Sequence, residues 1–313
     1  MNKIKVLASD EIVISAVEEI RSMGCQVDEA SYSAEELPEK LREYDILLVR
    51  SATKVTRLIL EALGENSKLK LIIRAGVGLD NIDLEAADSH GIEVRNTPNS
   101  SVTSVAELAI GHMITLARHL HSANMTMRRG EWLKNSYKGI ELQNSVLGII
   151  GLGRIGLGMA EKASALGMKV QYYKRSGPEE GAEDYQFVDL DTLISTSDFI
   201  TLHVPKVAGS PPILGKPEFE KMKDGAIVIN CARGGVIDEE ALIEALDSGK
   251  LGGAGLDVFE KEPPVNEALL QHEKISLSPH IGASTAEAQE RIGTELIEIV
   301  REFCERSGQS HDD

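Results

Sequence analysis

Cysteine is scarce in this sequence, and the cysteines that are present suggest no structural pair. Cys25, Cys231 and Cys304 are odd in number, lie far apart along the chain and form no C-x-x-C motif. Disulfide-rich domains and structural zinc sites both need cysteines at close, repeated spacings. We therefore expect a reduced, cytoplasmic protein without a metal site.

Basic residues are also few, since 33 Lys and Arg stand against 50 Asp and Glu and give a net charge of −17. A surface of this sign repels nucleic acids and anionic membranes, so neither is expected as a partner. Charges farther away than about 8 Å are largely screened at physiological salt. An anionic small-molecule ligand would therefore need basic side chains gathered at its own binding site.

Long apolar runs are absent too. No stretch approaches the roughly 20 residues of a membrane span, and the opening MNKIKVLASDEIV does not resemble a signal peptide. With 313 residues, 42% of them hydrophobic and 27% charged, the chain has a globular balance and the length of two domains.

Alternating strand-like and helix-like segments fill most of the chain. They run from Lys3 to about Pro98 and again from Ser145 to about Pro279. Such alternation predicts an α/β fold of two doubly wound parallel sheets, Rossmann-like or flavodoxin-like, with a cleft between the domains. One long helix is expected from Ser101 to about Arg128, and a last helix begins near Ser284.

Three histidines and the only tryptophan fall in or just after the long helix. His112, His119 and His121 have no evident converging ligand for a metal, so we interpret them as packing or surface residues. Trp132 stands among basic residues, where it suits either a subunit interface or the capping of a core by a loop.

A glycine motif gives the first indication of function. The apolar run Val146–Ile150 leads into Gly151, Gly153 and Gly156, spaced as G-x-G-x-x-G, then a helical pattern and a second strand, Val170–Tyr173. In this context the first glycine permits a tight turn, the second lets a pyrophosphate approach the backbone, and the third allows close helix packing. A glycine-rich turn can occur in any βα unit, but both flanking strands favour a dinucleotide site.

Three residues suited to hydride-transfer chemistry each follow a predicted strand of the second unit. Arg233, Glu262 and His280 therefore converge at the carboxyl edge of the sheet, beside the glycine turn. Histidine can exchange a hydroxyl proton near neutral pH, a carboxylate can orient it, and arginine can grip a substrate carboxylate. Each could singly be an ion-pair partner, a solvated charge or a backbone-bonded histidine, but their convergence favours a catalytic triad.

Eight segments make the sequence similar to the D-isomer-specific 2-hydroxyacid dehydrogenases, over about Arg50 to Glu302. They are Val49–Thr56, Arg74–Ala87, Asn96–Asn99, Ser104–Leu108, Gly151–Gly156, Asn230–Leu242, Leu256–Pro264 and Ser278–Thr285. The resemblance implies Arg233, Glu262 and His280 as catalytic residues. It also implies a substrate domain of residues 1–98 plus 282–313, a dinucleotide-binding domain of residues 99–281, and a homodimer through the latter.

The resemblance further implies two sets of binding residues. The cofactor set is Val77, Gly151, Gly153, Arg154, Ile155, Gly156, Lys174, Arg175, His203, Val204, Pro205, Cys231, Ala232, Arg233, Asp257, His280 and Gly282. The substrate set is Arg50, Ser51, Arg74, Gly76, Val77, Gly78, Asn99, Arg233 and His280, with Lys134 contributed by the partner subunit. Arg50 and Arg74 would bind the phosphate of 3-phosphoglycerate. They would thus be the basic side chains that an anionic ligand needs at its binding site on an acidic protein.

The chain departs from the family pattern at one cofactor position. NAD sites place an acidic residue about 20 residues beyond the glycines, on the ribose 2′-hydroxyl. Lys174 and Arg175 stand there instead, which suits the 2′-phosphate of NADP, although both side chains could point into solvent while NAD binds. Two other functions stay open at this stage: a reductase of unphosphorylated hydroxypyruvate or glyoxylate, and a dinucleotide-sensing binding protein.

Overall fold

The computed structural model describes residues 3–64, 66–207 and 209–309. The chain divides into two compact units, Met1–Ser101 with Ala283–Asp313, and Val102–Gly282. Both contain a sheet whose strands are all parallel, which confirms the predicted α/β fold class. Within the described ranges, no helix has the length and apolar character needed to cross a membrane.

The first unit is built on five short strands in the order β2-β1-β3-β4-β5. These strands are β1 (Lys5–Ala8), β2 (Gln26–Glu29), β3 (Ile46–Val49), β4 (Leu71–Arg74) and β5 (Glu93–Asn96). The connecting helices are α1 (Ile14–Ser22), α2 (Leu37–Leu41), α3 (Arg57–Glu61) and α4 (Leu84–Ser89). Consecutive residues of β3 point into different apolar clusters, so both faces of the sheet are buried.

The second unit has seven strands in the order β12-β11-β10-β9-β6-β7-β8. These are β6 (Val146–Ile150), β7 (Lys169–Tyr173), β8 (Gln186–Phe187), β9 (Phe199–Leu202), β10 (Ala226–Asn230), β11 (Leu251–Leu256) and β12 (Ile275–Leu277). Its helices are α5 (Val102–Ala117), α6 (Leu120–Arg128), α7 (Arg154–Ala165), α8 (Leu190–Thr196), α9 (Lys216–Lys221), α10 (Glu239–Asp247) and α11 (Glu267–Leu270). This strand order is that of a dinucleotide-binding sheet with one further strand.

The last helix, α12 (Ala286–Gln309), belongs to the first unit. Ile292, Leu296, Ile299 and Val300 recur at helical spacing and are buried in one cluster with residues of α1 and the sheet. The side chain of Thr285 accepts a hydrogen bond from the Ala288 amide, and the helix begins at Ala286, two residues after the predicted start near Ser284.

The long helix predicted from Ser101 to Arg128 is wrong as a single element. The structure has two helices, α5 and α6, because His119 between them adopts a left-handed backbone conformation with φ 53°. Hydrophobic spacing continues on both sides of the break and therefore did not reveal it. His112 is buried in α5, as expected for a packing residue, whereas His121 is exposed.

Candidate active site

In the second unit, the strand order reverses between β6 and β9, which lie side by side. The chain leaves β6 at Gly151 and leaves β9 at His203. Parallel sheets bind ligands outside the carboxyl ends of their strands at such a reversal. The glycine motif thus stands at the position where a dinucleotide is expected.

The three glycines of the motif have different surroundings. Gly151 has φ +96°, and a Cβ there would lie 2.6 Å from the carbonyl oxygen of His203. A Cβ on Gly156 would lie 2.3 Å from the carbonyl oxygen of Gly151. Gly153, by contrast, caps α7 and has open space around it. The backbone at the start of α7 is therefore open at Gly153, as a site that binds an anion through helix N-terminal amides requires.

Several predicted cofactor residues surround this turn. Val204 lies against Gly151, and Pro205 is exposed. Nδ1 of His203 is buried and has no hydrogen-bond partner within the described part of the chain, while its Nε2 lies 3.1 Å from the hydroxyl of Thr201. Burial lowers the pKa of His203 to about 4, so the ring is neutral at pH 7. An unsatisfied ring nitrogen beside the dinucleotide turn is an atom that a bound group can satisfy.

Lys174 follows β7 and forms an ion pair with Glu179 across a tight turn. The amide of Gly177 closes this turn on the carbonyl of Lys174 at 3.0 Å, and the amide of Glu179 donates to the Tyr172 hydroxyl at 2.9 Å. Arg175 is exposed. Glu179 therefore places a carboxylate next to the lysine that replaces the acidic residue, a contact that sequence spacing did not reveal.

Arg233 lies on the loop that follows β10, and Asn230 holds that loop. The Asn230 side chain donates to the Arg233 carbonyl at 2.9 Å and accepts from the Ala232 amide at 3.1 Å. A Cβ on Gly234 would lie 1.7 Å from the carbonyl oxygen of Phe259. Only glycine fits there, and the Arg233 loop consequently packs against the loop that carries Glu262. Cys231 and Ala232 are buried beneath it.

The structure joins two members of the predicted triad directly. Nδ1 of His280 lies 2.7 Å from Oε2 of Glu262, and both side chains are partly exposed. Because a carboxylate only accepts, Nδ1 carries the proton and donates it. Nε2 is thereby left to exchange a proton with a ligand. Glu262 is itself held by the Phe259 amide, which donates to Oε1 at 3.2 Å.

Asp257 holds the His280 loop in place. Its buried carboxylate accepts from the Ser278 hydroxyl at 2.6 Å, the Ile281 amide at 2.8 Å and the Gly282 amide at 2.8 Å. The His280 amide donates to the Asp257 carbonyl at 2.8 Å. These contacts support the backbone of His280, which has φ 52°. We infer a positioning role in addition to the cofactor role predicted from the sequence.

His112 extends this network from α5. Its Nε2 lies 3.0 Å from the Ser278 hydroxyl, and its Nδ1 lies 2.8 Å from the Ser276 hydroxyl. Since Ser278 donates to Asp257, it must accept from Nε2–H of His112, and Nδ1 then accepts from Ser276. Burial lowers the pKa of His112, consistent with this neutral tautomer. No sequence motif indicated that a histidine on α5 supports the loop of His280.

In the first unit, the strand order reverses between β1 and β3. Asp10 follows β1 and accepts from the Arg50 amide at 2.5 Å and from the Thr53 hydroxyl at 2.6 Å. Asn81 donates to the carbonyls of Arg50 and Thr53 at 2.9 and 2.7 Å. The side chains of Asp10 and Asn81 therefore hold this loop in place. Ser51, which belongs to the same loop, is exposed.

Arg74 ends β4, and its register partner on β3 is Val49, so Arg50 and Arg74 leave adjacent strands at the same edge. A Cβ on Gly76 would lie 1.6 Å from a guanidinium nitrogen of Arg74. The side chain of Arg74 thus lies over Gly76. Asn96 holds the same loop through the Val77 carbonyl at 2.6 Å. Of the other predicted substrate residues, Gly78 is buried and Asn99 is exposed.

The segment after α6 presents apolar side chains to solvent. Trp132 is 76% exposed, and Leu133 and Ile140 are also exposed. Lys134 is exposed within a 3₁₀ turn, Lys134–Ser136. The part of α6 before this segment lines a cavity of about 1080 Å³ together with β12. Trp132 is therefore a surface residue and does not cap a core, whereas its predicted place in a subunit interface stays a prediction.

Comparisons with known proteins identify the family. Residues 110–282 match the NAD-binding domain of the D-isomer specific 2-hydroxyacid dehydrogenases. The chain is 51% identical over 269 residues to a hydroxypyruvate reductase of Thermotoga maritima, covering 85% of this chain and 87% of that protein. It is 45% identical over 301 residues to a D-3-phosphoglycerate dehydrogenase of Methanocaldococcus jannaschii, covering 95% of this chain but 57% of that protein.

Among solved structures, an acyclic imino acid reductase in complex with NADPH and D-Arg superposes with a TM-score of 0.89 at 29% identity. That match covers 97% of this chain and 98% of the other. The domain match and the extent of identity together show that this chain belongs to the D-isomer specific 2-hydroxyacid dehydrogenase family.

Proposed function

We propose that the chain interconverts 3-phosphoglycerate and 3-phosphohydroxypyruvate, the first step of serine biosynthesis, in the cytoplasm. The observation that carries this proposal is the His280–Glu262 pair, with a hydrogen bond of 2.7 Å in the same unit as the glycine turn. A proton-exchanging imidazole beside a dinucleotide site suits oxidation of a hydroxyl-bearing carbon.

The pair acts as follows. Nε2 of His280 takes the proton of the C2 hydroxyl, and Glu262 stabilises the imidazolium that forms while holding the ring in one orientation. A nicotinamide cofactor held at the glycine turn would supply the acceptor for the hydride of C2. Arg233 offers a planar fork of donors for the substrate carboxylate. In the reverse direction, His280 returns its proton to the developing alkoxide.

Arg50 and Arg74 bind the substrate phosphate in this proposal. Each leaves the carboxyl end of one of two adjacent strands, and the loop of Arg50 is fixed through Asp10 and Asn81. Guanidinium groups suit phosphate because several donors can engage its oxygens at once. They also supply the local positive charge that a chain of net charge −17 requires.

A second candidate function is hydroxypyruvate reduction, favoured by the 51% identity to a relative of that name. Both reactions would use the same proton-exchanging pair. They differ in whether the substrate carries a phosphate, and so in whether Arg50 and Arg74 contribute to binding.

We further propose that NADP(H) is used at least comparably with NAD(H). Lys174 and Arg175 replace the acidic residue that would repel a 2′-phosphate. Glu179 forms an ion pair with Lys174. Its negative charge would reduce the preference for NADP(H) that the lysine provides.

The proposal includes a homodimer formed through the second unit, with Lys134 reaching the partner's substrate. The exposed Trp132, Leu133 and Ile140 support an interface there, since exposed apolar clusters on proteins commonly mark association sites. Light scattering should give twice the chain mass, and Trp132→Ala should weaken the dimer. A monomeric wild type would contradict this part of the proposal.

The activity is tested by initial rates of the purified chain on 3-phosphohydroxypyruvate, hydroxypyruvate, glyoxylate and pyruvate, with NADH and with NADPH. The highest kcat/KM is expected for the phosphorylated substrate. His280→Ala should lower kcat roughly 10²–10⁴-fold while cofactor binding persists, whereas His121→Ala, an exposed control, should change little. A higher kcat/KM for hydroxypyruvate would establish the second candidate instead.

A further inference from the structure

Two cysteines that are far apart in sequence meet in the first unit. The Sγ atoms of Cys25 and Cys304 lie 3.7 Å apart, although 279 positions separate the residues. Cys25 immediately precedes β2 and is 5% exposed, whereas Cys304 lies on α12 and is only partly buried. The contact therefore joins the last turns of α12 to the edge of the sheet.

Ion pairs hold this part of α12 in position. Arg306 lies 2.9 Å from Glu93, and Glu302 lies 3.3 Å from Arg95, which fastens the helix to β5 on two successive turns. The preceding turns are buried against α1. The packing of the earlier turns against α1 and the ion pairs of Glu302 and Arg306 therefore keep the two sulfur atoms close together.

The two thiols are chemically unequal. Either sulfur can donate its S–H to the other, and with Cys25 as the donor this contact lowers the pKa of the more exposed Cys304 thiol. The same contact, together with burial, raises the pKa of Cys25. Since the thiolate is the nucleophile, Cys304 is the reactive member. Burial raises the pKa of Cys231, which leaves that thiol unreactive.

We propose that Cys25 and Cys304 form a reversible intramolecular disulfide when the protein meets hydrogen peroxide. The Cys304 thiolate attacks one oxygen of hydrogen peroxide, the O–O bond breaks, and a sulfenic acid forms as hydroxide leaves. The hydroxide takes up the proton that the Cys304 thiol had released, which gives the first water. The sulfur of Cys25 then displaces the hydroxyl group of that sulfenic acid, forms the S–S bond, and passes its proton to the departing second water. Two thiols lose two electrons and two protons, and the peroxide is reduced to two waters.

The geometry suits this reaction. A disulfide bond needs a sulfur separation of about 2.05 Å, so the two atoms must approach by less than 2 Å. Cys304 stands near the end of a helix, where a small adjustment costs little. The bond would link the last turns of α12 covalently to the residue before β2. The covalent loop that it closes would contain almost the whole chain.

The test uses the full chain, reduced and then treated with excess hydrogen peroxide. Alkylation under denaturing conditions should find one free thiol where the reduced protein has three. Intact mass should fall by two hydrogens, and a cross-linked peptide should contain Cys25 and Cys304. Dithiothreitol should reverse all three changes. The oxidised form should melt higher than the reduced form, by on the order of 5 °C.

Three variants separate this outcome from general oxidation. Cys231→Ser should still lose two hydrogens, whereas Cys304→Ser should not. Cys25→Ser should instead gain oxygen at Cys304, because no second thiol remains to resolve the sulfenic acid. Retention of all three thiols in the wild type, a bond to Cys231, a cross-link between molecules or an unchanged melting temperature would overturn the proposal.

Discussion

A single hydrogen bond, from Nδ1 of His280 to Glu262, decides which ring nitrogen is left for proton transfer. In the reductive direction the imidazolium must donate from Nε2, and the Glu262 carboxylate stabilises that charge. Glu262→Gln keeps the size of the side chain but removes the charge. We expect kcat at neutral pH to fall roughly 10-fold, with the active range moved to lower pH and KM little changed.

Full pH–rate profiles of the Glu262→Gln variant measure this effect. Glu260→Gln is a matched control, since Glu260 is an exposed residue of the same loop. A Glu262→Gln profile that overlies the wild type would mean that the carboxylate does not act on His280.

The proposed cofactor choice would depend on Lys174, which forms an ion pair with Glu179. A cation close to the 2′-phosphate contributes on the order of 1 kcal/mol or more to the binding of NADP(H). The negative charge of Glu179 reduces this contribution. Glu179→Gln should therefore raise the ratio of kcat/KM for NADPH to that for NADH, and Lys174→Asp should lower it roughly 10-fold. Lys169→Asp, at the opposite end of β7, should leave the ratio unchanged. Equal ratios in all variants would show that these side chains do not meet the ribose.

At the scale of elements, α5 supports the loop that carries His280 through Ser278. Ser278→Ala removes the bridge between His112 and Asp257 and leaves a buried N–H without its acceptor. We expect a loss of about 1–3 kcal/mol in the free energy of unfolding and a lower kcat, because His280 is less firmly placed. Ser276→Ala, which contacts His112 but not Asp257, should leave kcat nearly unchanged. Denaturant unfolding and initial rates check both, and equal kcat losses would contradict the bridge.

Buried strands with continuous apolar runs were the most predictable elements. β6 has the bounds expected from the sequence, Val146–Ile150, because its residues are apolar or small and four of the five are buried. β2 and β5 were not predicted, since Gln26–Glu29 and Glu93–Asn96 contain charged or polar residues at a sheet edge. The break at His119 depends on a backbone conformation that hydrophobic spacing does not encode.

Parallel topology made His280 and Glu262 predictable as neighbours, because it brings the carboxyl ends of adjacent strands together. Individual side-chain contacts outside the motifs were not predictable. The bond from His112 to Ser278, the pairing of Lys174 with Glu179 and the meeting of Cys25 with Cys304 each depend on side-chain packing. No motif marks any of them.

For the whole molecule, acid should weaken the second unit. His112 and His203 are kept neutral by burial, which lowers the pKa of each. In the unfolded chain both bind protons near pH 6.5, so below that pH the unfolded state binds more protons and is favoured. The free energy of unfolding should fall between about pH 6.5 and pH 4. Each histidine should contribute a loss of up to about 1.4 kcal/mol per pH unit.

Urea unfolding at several pH values measures this loss. His112→Gln should lose less stability than the wild type between the same pH values. A stability that stays flat between about pH 7 and pH 5 would show that neither histidine is held neutral.

The net charge of −17 makes anion binding the central problem for the molecule, and Arg50 with Arg74 is the proposed answer. The most direct measurement is kcat/KM for 3-phosphohydroxypyruvate and for hydroxypyruvate in the wild type and in Arg50→Gln/Arg74→Gln. Arg57→Gln is the control, since Arg57 is an exposed arginine of the same unit that pairs with Asp83 and Glu85. In the double variant, kcat/KM should fall at least about 10-fold for 3-phosphohydroxypyruvate and change little for hydroxypyruvate. In the Arg57→Gln control, kcat/KM should be unchanged for both substrates. Equal losses on both substrates would contradict a phosphate site at these arginines.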